Sequence, residues 1–391
     1  MELDEVQNLV RAGEFGAITL DTSIFDAQGL RLESGLLRQL EQFQDSSTRL
    51  ILSEVVKQET LSHLIEKVKD AQKEIEKSLK QAREHWRVED QDIKKIKAVI
   101  FGEHEAQEVA LERFRQFEEL TSLEIVEAQD YVLIGGLIQK YFNAEPPFSK
   151  TGKKKNEFPD AIALMSLETW ANEEQTKIIV VTADNDWKSF CKGSERLIAV
   201  DDFAGALGLF QLQNADDICK YLSEKYKRGE LDNVKEAISS ALEYHMSSLE
   251  IYPEAASSFR YEYDSAEIIL SGFQFKLFES PNSIFRPVNF DDEILVVESK
   301  LSVDVNIEGS FSFYVYDSID KDDVPLGSGS ANIQTNLDVD ILVSFIGSFL
   351  GNLDKFGADV EVDDVEIEIK KLDAVYFGEI EPDWIDEEYD Y

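Results

Sequence analysis

Four carboxylates of this sequence stand where a chain seldom leaves a charge without a partner. Asp21 directly follows the short apolar run Ala17-Ile-Thr-Leu, and Asp184 closely follows Lys177-Ile-Ile-Val-Val-Thr. Both runs read as buried strands, and the carboxyl ends of such strands are where open α/β sheets place ligands. Glu59 shares a helical stripe with Val55, Val56 and His63, because residues three and four apart share a face. Asp160 shares a stripe with Leu164, Leu167 and Trp170. Four inward acids need protons or cations, since a buried charge is rarely left unpaired. No equivalent set of inward lysines or arginines is visible. Divalent ions would answer the excess, and Mg²⁺ and Mn²⁺ prefer carboxylate oxygen.

Each acid also has an ordinary explanation. Asp21 could simply cap the helix that follows it. Glu54 comes directly after Ser53, a good helix N-cap, where a carboxylate favours the helix dipole; it is assigned to the helix and Glu59 to the site. His63, one turn beyond Glu59, reads as a satisfied core histidine rather than a ligand. It is the coincidence of Asp21, Asp160 and Asp184 in matching places that favours chemistry.

The elements that must position these residues alternate between strand and helix, which indicates an α/β domain with a mostly parallel sheet flanked by helices. Leu50-Ile-Leu is a further strand, ending at Ser53. Residues 61 to about 120 read as long helices laced with Lys and Glu, such as Glu74 with Lys77 and Glu76 with Lys80, and that charge reads as a solvated face. Tyr131–Phe142 is an apolar helix, so residues 61–145 form a long helical insertion. After Pro146-Pro147 comes a basic loop, Lys150-Thr-Gly-Lys-Lys-Lys-Asn. Its Lys153, Lys154 and Lys155 either contact substrate phosphates or are simply solvated. Phe158-Pro-Asp then opens the helix that carries Asp160, with Pro159 suited to the first turn.

A basic last turn and then glycine, Lys225-Tyr-Lys-Arg-Gly-Glu, marks a boundary. It predicts domains at 1–228 and 229–391. Beyond it the pattern has period two: Leu301, Val303, Val305 and Ile307 share a face, as do Phe311, Phe313 and Val315. The expected second domain is an antiparallel β-sandwich-like one. Asp317, Asp320, Asp322 and Asp323 match no EF-hand spacing and read as a turn.

The charge is uneven. Residues 1–228 hold 42 acids against 30 bases, and residues 229–391 hold 37 against 9, within a chain of 391 residues and net charge −40. So acidic a module repels nucleic acid; it would bind a protein partner, sense something, or restrain the first domain. With 43% hydrophobic residues the chain can fold despite its charge. No stretch approaches the roughly 18 uncharged apolar residues of a membrane span. The acidic N-terminus is unlike a signal peptide, and two cysteines cannot build a disulfide framework or zinc cluster. These features place the chain in a reducing, cytoplasmic compartment. There is no Gly-rich phosphate loop and no Cys/His cluster, and Asp21-Thr-Ser lacks the second aspartate of a haloacid-dehalogenase-type site.

Leu20-Asp21-Thr22-Ser23, Ser53-Glu-Val-Val-Lys-Gln-Glu59, Phe158-Pro-Asp160-Ala and Val181-Thr182-Ala-Asp184-Asn-Asp186-Trp, in this order, resemble the PIN-domain nuclease superfamily. The closest likeness is to its long, helix-inserted bacterial branch, over residues 16–205. The resemblance implies a metal-dependent nuclease acting on nucleic acid, RNA before DNA. Asp21, Glu59, Asp160 and Asp184 would be the metal-binding acids, with Mg²⁺ or Mn²⁺ as cofactor, Asp186 an auxiliary ligand and Thr182 a steadying hydroxyl. Ser23 stands where many members carry Asn, and can still hydrogen-bond. About a hundred residues separate Glu59 from Asp160, far more than in short toxin-type members. Two ions ~3.5–4 Å apart, held by four carboxylates, hydrolyse a phosphodiester with no side-chain base, which suits a chain with four histidines. A role as a toxin or antiviral-defence effector is compatible with this reading. The rival reading is a catalytically idle scaffold of the same fold whose acidic half binds a protein.

Overall fold

The computed structural model describes residues 3–102, 104–148, 157–211, 213–279, 282–291, 293–319, 321–349, 360–369 and 374–383. The chain divides into two compact units, Met1–Phe210 and Gln211–Tyr391. Among the described residues no helix is long and apolar enough to cross a membrane.

In the first unit α1 (Leu3–Arg11) leads into β1 (Phe15–Leu20), α2 (Thr22–Ala27), α3 (Gly35–Arg38) and β2 (Arg49–Ser53). Then come α4 (Glu54–Trp86), α5 (Asp90–Phe101), α6 (Ala106–Thr121), β3 (Glu124–Val126), α7 (Ala128–Tyr131) and α8 (Ile134–Asn143). The unit ends with α9 (Phe158–Glu173), β4 (Lys177–Val181), α10 (Asn185–Gly193), β5 (Leu197–Val200) and α11 (Phe203–Gly208). All pairings are parallel and the strand order is β3-β2-β1-β4-β5. Helices over both faces explain why these strands are apolar runs instead of alternating ones; Ile18, Leu20, Ile51, Leu52 and Ile178 to Val181 are fully buried. From β1 the chain steps outward to β2 and β3, then returns to β4 on the other side of β1. The reversal opens a crevice between the carboxyl ends of β1 and β4, where such sheets bind ligands.

Two short strands were not expected. β3, three residues long, lies inside the expected 61–145 insertion and pairs Val126 with Ser53, so the insertion is interrupted by an edge strand. β5 pairs Val200 with Val181. Runs of three and four residues carry too little periodicity to be read. The helix expected over 131–142 is broken at Val132-Leu133 into α7 and α8. Ser53 caps α4 as expected, its Oγ accepting from the Val55 amide at 3.3 Å.

The second unit begins with α12 (Gln213–Lys227) and α13 (Asp232–Met246). Among the described residues seven strands follow: β6 (Pro253–Ala256), β7 (Arg260–Lys276), β8 (Arg286–Phe290), β9 (Ile294–Asp317), β10 (Asp322–Ile346), β11 (Glu361–Ile369) and β12 (Val375–Glu379). The antiparallel sheet runs β11-β10-β9-β7, with β8 also on β9. Its inner face carries Leu301, Val303, Val305, Ile307, Phe311 and Phe313, all fully buried. The layer against that face is mixed: Val234, Ile238, Leu242 and Met246, one stripe of α13, and Ile218, Cys219 and Leu222 of α12 share the core, while β12 and β6 form a two-stranded parallel ribbon. Gly309 makes room for this ribbon, since a Cβ there would stand 2.8 Å from the Phe377 ring.

This core moves the boundary. The sequence placed it at 228/229, but α12 buries Ile218, Cys219 and Leu222 with the second unit, so the division falls after Phe210. Periodicity shows that a helix has an apolar face and is silent on what covers it.

Candidate active site

Asp21 leaves β1 at its carboxyl end and is buried, 6% exposed. The β1–β4 register is carried one step further by the Asp21 amide, which donates to the Val181 carbonyl at 3.0 Å. Asp21 and Thr182 are thereby neighbours, and the Thr182 hydroxyl donates to Asp21 Oδ2 at 3.0 Å. Ser23 Oγ donates to the same oxygen at 2.5 Å. Burial pushes the Asp21 carboxyl above its usual value, against the lowering effect of those two hydroxyls.

Thr182 also accepts the Asp184 amide at 3.0 Å, so one fully buried hydroxyl joins the loops after β1 and β4. Asp184 caps α10: its Oδ1 accepts from the amides of Asp186 at 2.7 Å and Trp187 at 3.0 Å. The first turn of α10 thus holds this exposed carboxylate at the mouth of the crevice. Asp186 lies beside Asp184 and Glu157; burial first, then those two charges, raise its carboxyl.

Asp160, in the first turn of α9, accepts the indole N–H of Trp187 at 2.8 Å. Its carboxyl is pushed up to about 6, chiefly by burial, with the charges of Asp21, Asp184 and Glu59 adding to the rise and the Trp187 hydrogen bond opposing it. One carboxyl therefore feels the other three, and four acids from separate parts of the chain converge. Glu59, half-buried on α4, is held by the Thr22 hydroxyl, which donates to Oε2 at 2.8 Å.

Among the described residues none of these four acids takes part in an ion pair with a lysine, arginine or histidine, and no three Asp, Glu, His or Cys side chains close on a single metal-sized point. Like charges hold themselves apart when only hydroxyls, amides and an indole face them. The donor set is all carboxylate oxygen and carries an unanswered negative charge, which suits Mg²⁺ or Mn²⁺.

Other expectations fare differently. Lys153, Lys154 and Lys155 lie outside the described residues. His63 is not a core histidine: it is half-exposed, and its Nδ1 sits 3.0 Å from both carboxylate oxygens of Asp26 on α2. Glu54 heads α4, and its carboxyl shares a hydrogen bond that raises Glu127. Two residues with clear roles were missed, Trp187 and Thr22. Trp187 is 1% exposed, and a buried indole N–H wants an acceptor, but nothing in the chain order says that the acceptor lies 27 residues upstream.

Residues 18–187 match the family model of the PIN domain, and the matched span runs from β1 to the first turn of α10. This segment is a PIN domain. PIN domains are in general nucleases, and the four acids of this one lie at the crevice of its parallel sheet. No curated protein and no solved structure matches the chain.

Proposed function

We propose that the PIN domain is a metal-dependent endonuclease that hydrolyses phosphodiester bonds in RNA. The observation that carries this reading is the convergence of Asp21, Glu59, Asp160 and Asp184 at the crevice with no basic side chain among the described residues to answer them. These four would hold Mg²⁺ or Mn²⁺, with Asp186 as an auxiliary ligand. When bound, such an ion supplies the positive charge needed on the phosphoryl and leaving oxygens and makes water acidic enough to attack near neutral pH. The rest is positioning. Ser23 and Thr182 orient Asp21, Thr22 orients Glu59, Trp187 orients Asp160, and the α10 amides orient Asp184. The choice of RNA rests on the family likeness. In this proposal Lys153, Lys154 and Lys155 bind phosphates, and replacing them lowers the log–log salt slope of binding by ~0.7 for each phosphate no longer neutralised.

The full chain should cleave RNA with Mn²⁺ or Mg²⁺ and leave 5′-phosphate ends, and Asp21→Asn or Asp160→Asn should abolish cleavage while the circular-dichroism spectrum is kept. Undiminished cleavage by both variants would overturn the site. A folded wild-type chain that cuts neither RNA nor DNA with either ion would overturn the enzyme and favour a scaffold whose acidic unit binds a protein.

A further inference from the structure

α2 and α4 meet in two rungs. The Thr22 hydroxyl donates to Glu59 Oε2 at 2.8 Å, and one turn further along both helices Asp26 faces His63, whose Nδ1 lies 3.0 Å from each carboxylate oxygen. Thr22 and Asp26 are four apart on α2, as Glu59 and His63 are on α4, so both helices leave the crevice in the same direction. The first rung orients Glu59. The second has no part in the reading above.

What it presents is a ring engaged on one side. Asp26 takes Nδ1, and among the described residues no hydrogen bond or ion pair involves Nε2. The His63 side chain is 43% exposed. An imidazole that donates to a carboxylate at Nδ1 becomes, once protonated, a donor at Nε2 as well. A second anion arriving on that side therefore meets a ring that is already oriented. α2 ends at Ala27, and Lys67, four residues beyond His63, is exposed and in no ion pair among the described residues. Glu59, His63 and Lys67 form one stripe of α4, each about 6 Å along the axis from the last. That rise is of the order of the step from one phosphate to the next along an extended single strand.

Charge selects this wall of the crevice. On the α10 side Asp186 lies beside Asp184 and Glu157, so a polyanion leaving the four acids that way meets further acids. On the α4 side it meets His63 and Lys67. Bases close to them are already taken, Lys57 by Glu118 and Arg113 by Glu33.

We propose that His63 Nε2 and the Lys67 ammonium bind backbone phosphates of the RNA beside the one that is cleaved, on the α4 side of the crevice; this rests on reading the crevice as a ribonuclease site. The full chain with Mn²⁺ and a single-stranded oligoribonucleotide provides the test. Lys67→Ala and His63→Ala should each raise KM about three- to fivefold, the upper range for an exposed ion contact, with kcat kept within about twofold. Each should lower the log–log salt slope of kcat/KM by ~0.7, the mark of one phosphate no longer neutralised. His63→Asn keeps a donor near the Nδ1 position for Asp26 and has nothing at Nε2, so it should behave as His63→Ala does. Lys94→Ala, at an exposed lysine of α5, should change neither KM nor slope. Circular dichroism checks that each variant is folded. A wild-type KM and slope in either Lys67→Ala or His63→Ala would overturn the proposal and leave the cleavage site standing. So would a wild-type KM in His63→Asn, or a loss confined to kcat and to Mn²⁺ affinity by calorimetry, because His63 would then act only by supporting Glu59. A wild-type chain that cuts no RNA overturns the ribonuclease reading and this proposal together.

Discussion

The two units are both acidic and use their acids in opposite ways. In the second, carboxylates stand on alternate residues of long strands and point away from the core: Asp304, Glu308 and Asp338 are exposed. They lean on neighbours of the same face; Asn336 Nδ2 donates to Asp304 at 2.8 Å, Asn306 Nδ2 to Glu308 at 3.1 Å, and Lys276 pairs with Asp338. Glu298 is the exception, 7% exposed and paired with Arg286. In the PIN domain, by contrast, acids from four separate segments are drawn to one crevice, Asp21 buried, Glu59 and Asp160 half-buried and Asp184 at its exposed mouth, without a basic partner among the described residues. Net charge, −12 against −28 by the sequence boundary, points to the wrong half for chemistry. What distinguishes the catalytic candidates is convergence, with desolvation of Asp21 and Asp160, and a charge on an alternating solvent face has neither.

The contrast can be tested at the buried Arg286–Glu298 pair of the acidic unit. Arg286→Ala removes the guanidinium that is bonded to the buried Glu298, while Lys300 stays 4.0 Å away. A loss of about 3 kcal/mol in the unfolding of this unit is expected, the low end for a broken buried pair, and denaturant titration would measure it. At the crevice, the loss of cleavage expected for Asp21→Asn or Asp160→Asn is at least about 10²–10³-fold, the scale of losing a group that acts on transition-state charge, and leaves no cleavage detectable in the same assay. Asp304→Asn, matched in chemistry, should leave the rate unchanged; if it slows cleavage equally, the distinction between the two acid populations fails. Trp187→Phe keeps the ring and deletes the N–H on Asp160. About 10–100-fold in activity or Mn²⁺ affinity is expected, as for other groups that orient a ligand, read by calorimetry beside the cleavage assay.

A smaller effect sharpens the comparison through pH. Asp160 holds its proton up to about 6 in the folded state, against 3.8 ordinarily. Between those values the folded chain binds more protons than the unfolded one, so stability falls as pH rises. The contribution is complete below the ordinary value and lost as pH climbs through 6. Thermal melts in EDTA should show a lower melting temperature at pH 7 than at pH 5, and Asp160→Asn should reduce that difference; an unchanged difference would mean that Asp160 is not charged against its neighbours. On the open sheet face, Glu308→Gln should shift stability by no more than about 0.5 kcal/mol at either pH.

Much of the site is legible in the order of residues alone, because its parts obey local rules. Asp21 and Asp184 follow apolar runs long enough to read as strands, Ser53 announces α4, and helical spacing sets Glu59 and Asp160 on their stripes. Strict alternation does the same for β9. These are properties of chain segments a few residues long, and backbone geometry imposes them wherever the segment ends up. Long-range packing decided the rest. The edge strands β3 and β5 are too short to carry a period, and they exist because β2 and β4 offer free hydrogen-bonding edges. The indole of Trp187 finds Asp160 only because α9 and α10 converge on the crevice. His63 looks like a core residue by spacing and instead meets Asp26 across two helices, since helical period gives the stripe and not the depth at which the stripe is buried. α12 joined the second unit because Ile218, Cys219 and Leu222 found their complement there. An amphipathic pattern states that a face must leave water, and only the packing of the whole chain determines what it meets.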